Sequence, residues 1–241
     1  MRALGRVVLA ALLIAPGAGV ADDMADARAR MVEEVAVMAA ETGPATGRGA
    51  LDPKVLAALG TVRRDRFVPS GEIHNAYRNR PLPIGHGQTI SQPYIVALMT
   101  DLLRPAPDHV VLELGTGSGY QAAILSALVE RVQTIEIVEP LAAQARQRLA
   151  QLGYRNVEVR AGDGYHGWPE RGPYDSIMVT AAASHVPPPL LKQLKPGGRM
   201  VIPVGAPFLT QHLMLIEKKS DGSFTSRQIL PVRFVPLTGG H

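Results

Sequence analysis

Three carboxylates occupy matching places along the chain. Glu113 lies in the hydrophobic run "VLEL", Glu136 closes "RVQTIE", and Asp163 follows "NVEVRAG". The first run leads straight into Gly115, Gly117 and Gly119 in "VLELGTGSGY". A glycine-rich turn between a strand and a helix lets the backbone bend tightly and approach a ligand closely. The G-x-G-x-G spacing differs from the G-x-G-x-x-G of dinucleotide folds, and no Gly-Lys-Ser/Thr follows that would cradle phosphates. Glu136 falls about 20 residues beyond the loop, where nucleotide folds place the carboxylate that accepts from ribose hydroxyls. Asp163 ends the next run, within reach of a base edge. Glu113, just ahead of the loop, suits a cationic amino group better than a pyrophosphate. Singly, Glu136 and Asp163 also read as helix caps or loop carboxylates, and Glu139 competes with Glu136. Together with the glycines, the three acids describe a ligand rich in donors and poor in negative charge. S-adenosylmethionine has a ribose, an adenine, an amino group and a sulfonium cation, and it fits.

The elements that must position these residues alternate. From residue 110 onward, hydrophobic runs at "HVVLELG", "RVQTIEIVE", "NVEVRAGDG", "YDSIMVT" and "GGRMVIPVG" are interleaved with helical patterns such as "GYQAAILSALVE" and "PLAAQARQRLAQLG". Strands at such spacing, separated by helices, call for a mostly parallel sheet covered on both faces. "QHLMLIEKKSDGSFTSRQIL" adds two strands around Asp221-Gly222, a hairpin signal that makes the C-terminal edge antiparallel. The fold class is therefore α/β and Rossmann-like. Ahead of this core (110–241), residues 22–109 read as a helical and irregular segment on the substrate side. Asp22–Ala40 is helical, with Met31, Val35 and Met38 on one face. Glu41–Pro53 is a break rich in Gly, Pro and Thr. A short helix over Lys54–Leu59 follows, with Asp52 and Pro53 as cap and first turn. Arg66–Gln92 is ordered but irregular, and Ile95–Leu103 is an amphipathic helix. No internal repeat or domain boundary interrupts 22–241, so it is one domain.

Composition excludes several chemistries. The 241 residues include no cysteine, which removes disulfides, thiolate nucleophiles and zinc–cysteine sites. The seven histidines never fall at metal-ligand spacing, so no metal is expected. A formal charge of +4, with no long basic cluster, does not point to nucleic acid.

Several stretches together carry a more specific resemblance: "DRFVP", "LPIGHGQTISQPYIVALMTDLL", "VLELGTGSGYQAAILSAL", "GDGYHGWPE", "PYDSIMVTAAASHVPPPLLKQLKPGGRMVIPVG" and "RFVPLT". Over most of 65–238 the chain is similar to protein-L-isoaspartate O-methyltransferases, within the class I methyltransferase fold. The resemblance implies that Ser91, in "TIS", is the active-site hydroxyl. It places Thr89, Ile90, Gly115, Thr116, Glu136, Asp163 and Gly164 around S-adenosylmethionine, with Thr238 also a candidate. Gly117, Gly119 and Glu113 join the cofactor set through the loop they belong to. Ser91 ahead of Gln92-Pro93 also reads as a helix N-cap, and the two roles can coexist.

The resemblance implies isoaspartyl proteins and peptides as substrates. It also accounts for an otherwise odd strand end, where "YDSIMVT" delivers only Ala181, Ala182 and Ala183. A carboxylate, with a reference pKa near 3.9, is already an ionised nucleophile at neutral pH and needs no general base. The protein need only bind and align it and exclude water. The Ser91 hydroxyl and the backbone N–H groups near Thr180 and Ala181 would suffice, and small side chains leave room for a peptide. His185 is the one acid/base nearby, with no proton to remove. The family's logic then has the methyl ester collapse to a succinimide that reopens partly to normal aspartate. Two other readings stay open: a methyltransferase of small molecules or nucleic acid, and an inactive exported S-adenosylmethionine-binding module. A monomer is expected.

The N-terminus departs from the family's usual start. Arg2 and Arg6 precede an apolar run from Val7 to Ala15, and Gly19 and Ala21 are small residues at −3 and −1. That is the layout of a secretory signal peptide over residues 1–21, too short to span a bilayer. The mature chain is then periplasmic or secreted, without stable membrane association; the alternative is the cytoplasm, as is usual for the family. Expressed in a Gram-negative host, the mature protein should begin at or near Asp22. Intact-mass measurement of cell fractions tests this, and full-length protein confined to the cytosol would refute export.

Overall fold

The computed structural model describes residues 18–206 and 209–240, with side chains from Asp23 onward. Most of the expected leader, residues 1–17, lies outside them. Among the described residues no helix is long and apolar enough to cross a membrane.

Five parallel strands build the sheet: β3 (Val110–Leu114), β4 (Arg131–Glu136), β5 (Val157–Ala161), β6 (Tyr174–Val179) and β7 (Leu194–Val204). Two antiparallel strands, β8 (Gln211–Lys218) and β9 (Phe224–Val232), extend one edge. The order is β5-β4-β3-β6-β7-β8-β9, so the winding direction reverses between β3 and β6. Open α/β sheets bind ligands at such a switch point, outside the carboxyl ends of the strands. Residues alternate between two cores, as a doubly covered sheet requires. Val111, Met178 and Val201 join one, while Leu112, Ile177 and Met200 join the other.

The first core is covered by α3 (Pro93–Leu103), α4 (Tyr120–Ser126) and α5 (Glu139–Gln151), with the N-terminal helices packed outside them. On the opposite face lies the short α6 (Pro188–Gln193). The connection from β5 to β6 contains only 3-10 turns, at Gly164–His166 and Pro169–Arg171, so the strand–helix alternation is incomplete there.

Two sequence expectations change at the N-terminal side. Helix α1 (Ala18–Thr46) does not break at Glu41 but runs through Pro44. Proline removes one donor, yet the last turn is secured by Gly47 N–H on Gly43 O (2.8 Å) and by the Thr46 hydroxyl on Thr42 O (3.2 Å). Helix α2 (Pro53–Thr61) starts as expected, with the Asp52 carboxylate accepting from Lys54 N (2.8 Å). The second change lies in the irregular stretch, which contains a hairpin of β1 (Leu82–Gly85) and β2 (Gln88–Ile90). Its two-residue turn has positive φ at both His86 (53°) and Gly87 (70°), the backbone that suits a tight hairpin. This hairpin delivers Thr89 and Ile90 beside the strand ends, immediately before Ser91.

Candidate active site

The site forms where β3 and β6 end. Gly115 takes φ +94°, and a Cβ built there would lie 2.3 Å from Thr180 Oγ1. No L side chain fits between these strand ends. The single Thr180 hydroxyl proton is shared between Leu114 O (2.9 Å) and Gly115 O (2.7 Å), and the Thr180 N–H donates to Leu114 O (2.9 Å). Thr180 is thus a strap across the switch point. The expectation that its N–H binds substrate is corrected, because that donor is already used. The Ala182 and Ala183 N–H groups are used as well, on Val235 O (2.8 Å) and Pro203 O (3.0 Å). Within Thr180–Ala183 only the Ala181 N–H has no acceptor among the described residues, and Ala181 lines the cleft.

From the neighbouring strand, Ile135 O accepts from Gly115 N (2.8 Å) and Thr116 N (3.3 Å). The Glu136 carboxylate accepts from Gly117 N (2.7 Å) through one oxygen and from Val138 N (2.9 Å) through the other. Each oxygen retains acceptor capacity for a ribose hydroxyl. Glu136 lines the cleft, whereas Glu139 is exposed at the start of α5, which resolves the choice between them.

The cleft has two narrow arms and one wide one. Gly115, Gly117, Glu136, Gly164, Ala181 and Thr238 line the first narrow arm. Ile90, Ser91 and Thr116 line the second. The wide arm is a cavity of about 610 Å³ that includes Ser91, Tyr94 and Arg233. Thr89 and Thr180 line all three arms, so the arms adjoin one another.

Three expected cofactor residues lie elsewhere. Glu113 points into the core and is fully buried, with neither oxygen hydrogen-bonded in good geometry among the described residues. Burial pushes its carboxyl up to about 8, opposed by the Thr134 hydroxyl, which itself engages the Thr116 hydroxyl (2.6 Å). It is therefore mainly a neutral acid beneath the loop at pH 7, not a counter-charge in the cleft. Asp163 does not line the cleft. Its carboxylate accepts from Tyr165 N (2.9 Å), capping a 3-10 turn, and from Gly240 N (3.2 Å), holding the C-terminal tail. Gly119, at φ +91°, packs against α5, where a Cβ would meet Leu149 at 3.2 Å. It shapes the loop and contacts no ligand space.

Ser91 does not cap α3. The cap position is Gln92, no side chain caps the helix, and the Ser91 hydroxyl has no partner among the described residues. Tyr94 N, in the first turn of α3, is taken by Asn79 Oδ1 (3.0 Å). His185 lies exposed against Tyr165 (3.1 Å) and Ser184 (3.0 Å), and lines no arm of the cleft. Among the described residues no group of three or more potential ligands could hold a metal. Residue-type reasoning missed Ile137 and Val138, the apolar pair directly after Glu136, and Val235–Leu237, whose segment "FVPL" packs against the alanines.

Comparison with known proteins decides the family. The model of protein-L-isoaspartate(D-aspartate) O-methyltransferases matches residues 45–241. The chain belongs to this family. It is 66% identical over 209 residues to Protein-L-isoaspartate O-methyltransferase 2 of a Polaromonas species, covering 87% of this chain and 99% of that one. It is 60% identical over 243 residues to Protein-L-isoaspartate O-methyltransferase 1 of Cupriavidus necator, covering 100% and 94%. A solved protein-L-isoaspartate O-methyltransferase superposes with a TM-score of 0.75 at 28% identity, covering 86% of this chain and 66% of that one. A Plasmodium falciparum protein described as a candidate member, solved in complex with S-adenosyl-L-homocysteine, gives 0.71 at 22% identity, covering 89% and 98%. The class I fold read from the strand order is the family's.

Glu136→Ala tests the expected ribose acceptor and also removes the clamp on Gly117. Losing hydrogen bonds to a charged group costs about 1.5–3 kcal/mol, roughly 10- to 150-fold in S-adenosylmethionine affinity. Glu139→Ala should change affinity little. Calorimetric titration giving the reverse ranking would contradict the placement of the β4 end.

Proposed function

We infer that this chain transfers a methyl group from S-adenosylmethionine to the free carboxylate of L-isoaspartyl residues in damaged proteins and peptides, opening their repair. Family membership supports the reaction. The observation that supports its chemistry is that two donors, the Ser91 hydroxyl and the Ala181 N–H, have no acceptor among the described residues and line arms of the cleft that share Thr89 and Thr180.

The residues present fit the cofactor. Gly115 and Gly117 bring bare backbone to the cleft, and Glu136 offers a carboxylate at its wall. Gly164, Ile137, Val138 and Thr238 complete that side. When bound, S-adenosylmethionine supplies a methyl group on a positively charged sulfur, which is left as a neutral thioether. The other tasks fall to the protein. An isoaspartyl carboxylate arrives ionised, so no side chain has to take a proton. Ser91 and Ala181 donate to it and fix its direction, which makes the reaction effectively intramolecular. Arg233, at the wide arm, adds positive charge where the anion enters. The hairpin on one side and the C-terminal segment on the other exclude water from the reacting atoms.

Export is part of the same proposal. The arginine-flanked apolar run and its small-residue end support a periplasmic location. A monomeric state is part of the same proposal.

Ser91→Ala tests the donor role. Losing a positioned donor typically costs on the order of 3 kcal/mol in the transition state, so turnover on an isoaspartyl peptide should fall at least about tenfold. Affinity for S-adenosylmethionine should change far less, and the normal-aspartyl twin peptide should be a poor substrate throughout. A variant with full turnover and only a lowered melting temperature would assign Ser91 a structural role instead.

A further inference from the structure

The stripe that seats α1 in the core does not end there. Met31 and Val35 are buried, at 1% and 0% exposure, but Met38, on the same helical face, is only partly covered. It lines the 610 Å³ cavity that holds Ser91 and Thr180. Its sulfur accepts from Asn79 Nδ2 and Gln92 Nε2, both at 3.7 Å. Gln92 directly follows Ser91, and Asn79 also holds Tyr94 N at the first turn of α3. Met38 therefore forms one wall of the substrate cavity and touches the residue next to the active-site hydroxyl. It also precedes residue 45, where the match to the family model begins.

The chemistry of that wall is informative. A polypeptide entering the cavity brings the side chains beside its isoaspartyl residue, and damage does not select one neighbour. An unbranched, polarisable thioether with three rotatable bonds packs against many shapes, which is why methionine recurs at promiscuous surfaces. We propose that Met38 is a specificity-determining residue of the substrate cavity: the adaptable wall against which the side chain flanking the isoaspartyl residue packs. The proposal rests on the methyltransferase reading above.

Steady-state methylation of isoaspartyl peptides that differ only in the flanking residue, glycine or leucine, tests it in the full-length protein. Met38→Ala should raise KM for the leucine-flanked peptide about tenfold, the scale of a lost apolar pocket contact, with kcat nearly unchanged. Its KM for the glycine-flanked peptide and its S-adenosylmethionine affinity should stay near wild type. Met38→Leu, which keeps the volume but loses the sulfur and the unbranched chain, should recover part of the leucine-flanked KM lost in Met38→Ala. Equal KM changes on both peptides, no change on either, or a matching kcat loss on both in Met38→Leu would overturn the proposal. The last result would make Met38 a latch on Gln92. Wild-type protein inert on every isoaspartyl peptide would instead overturn the methyltransferase reading, and this inference with it.

Discussion

The site depends on how closely two parallel strands approach where their connections part. The Thr180 hydroxyl shares its proton between the last carbonyl of β3 and the first of the glycine loop, with Gly115 so near that no side chain fits between them. That contact fixes the angle at which the loop leaves the sheet. A hydroxyl bonded to two carbonyls is bound at both ends of the turn, so neither the loop nor the β6 end can shift alone. Everything that binds in the cleft is placed relative to this strap.

The rest follows outward from it. With the loop so directed, Gly117 N reaches the Glu136 carboxylate, which also ties down Val138 and still faces the cleft. On the other side, the alanines after Thr180 pair with the C-terminal segment, where Ala182 bridges Pro236, and with the end of β7, where Ala183 bridges Val204. Larger side chains would push that segment away and open the cleft to water. An inert strand end is thus a packing requirement, and it leaves one backbone donor, at Ala181, for an anion. A substrate that is already an anion asks for nothing more reactive.

Much of this was legible in the sequence because periodicity and glycine spacing report backbone geometry directly. The parallel sheet, the antiparallel edge and the Glu136 strand end follow from local pattern. Glu113, Asp163 and Gly119 do not line the cleft, for a shared reason. Position beside a ligand loop does not say which way a residue faces: Glu113 faces the core, Asp163 a turn, and the Gly119 backbone a helix. Ser91 is the reverse case. A serine before Gln-Pro has the signature of a cap, but the proline that follows displaces the cap to Gln92. The hairpin at His86-Gly87 was hidden because its strands have only four and three residues, too few for alternation to show. Met38 could be placed on a helical face by spacing, but not at a cavity, since the cavity's other walls come from distant stretches around Ser91, at Thr180, in β9 and in the segment after it.

The central claim is that the protein aligns an ionised carboxylate and performs no proton transfer. The pH dependence of kcat on an isoaspartyl peptide tests it most directly. Between about pH 5.5 and 6.5, above the reference carboxylate range and well below the value of about 8 to which burial raises Glu113, kcat should be flat. It should stay flat in His185→Ala. A kcat that rises with pH across this window in wild type, and loses that rise in His185→Ala, would show a general base and contradict the account.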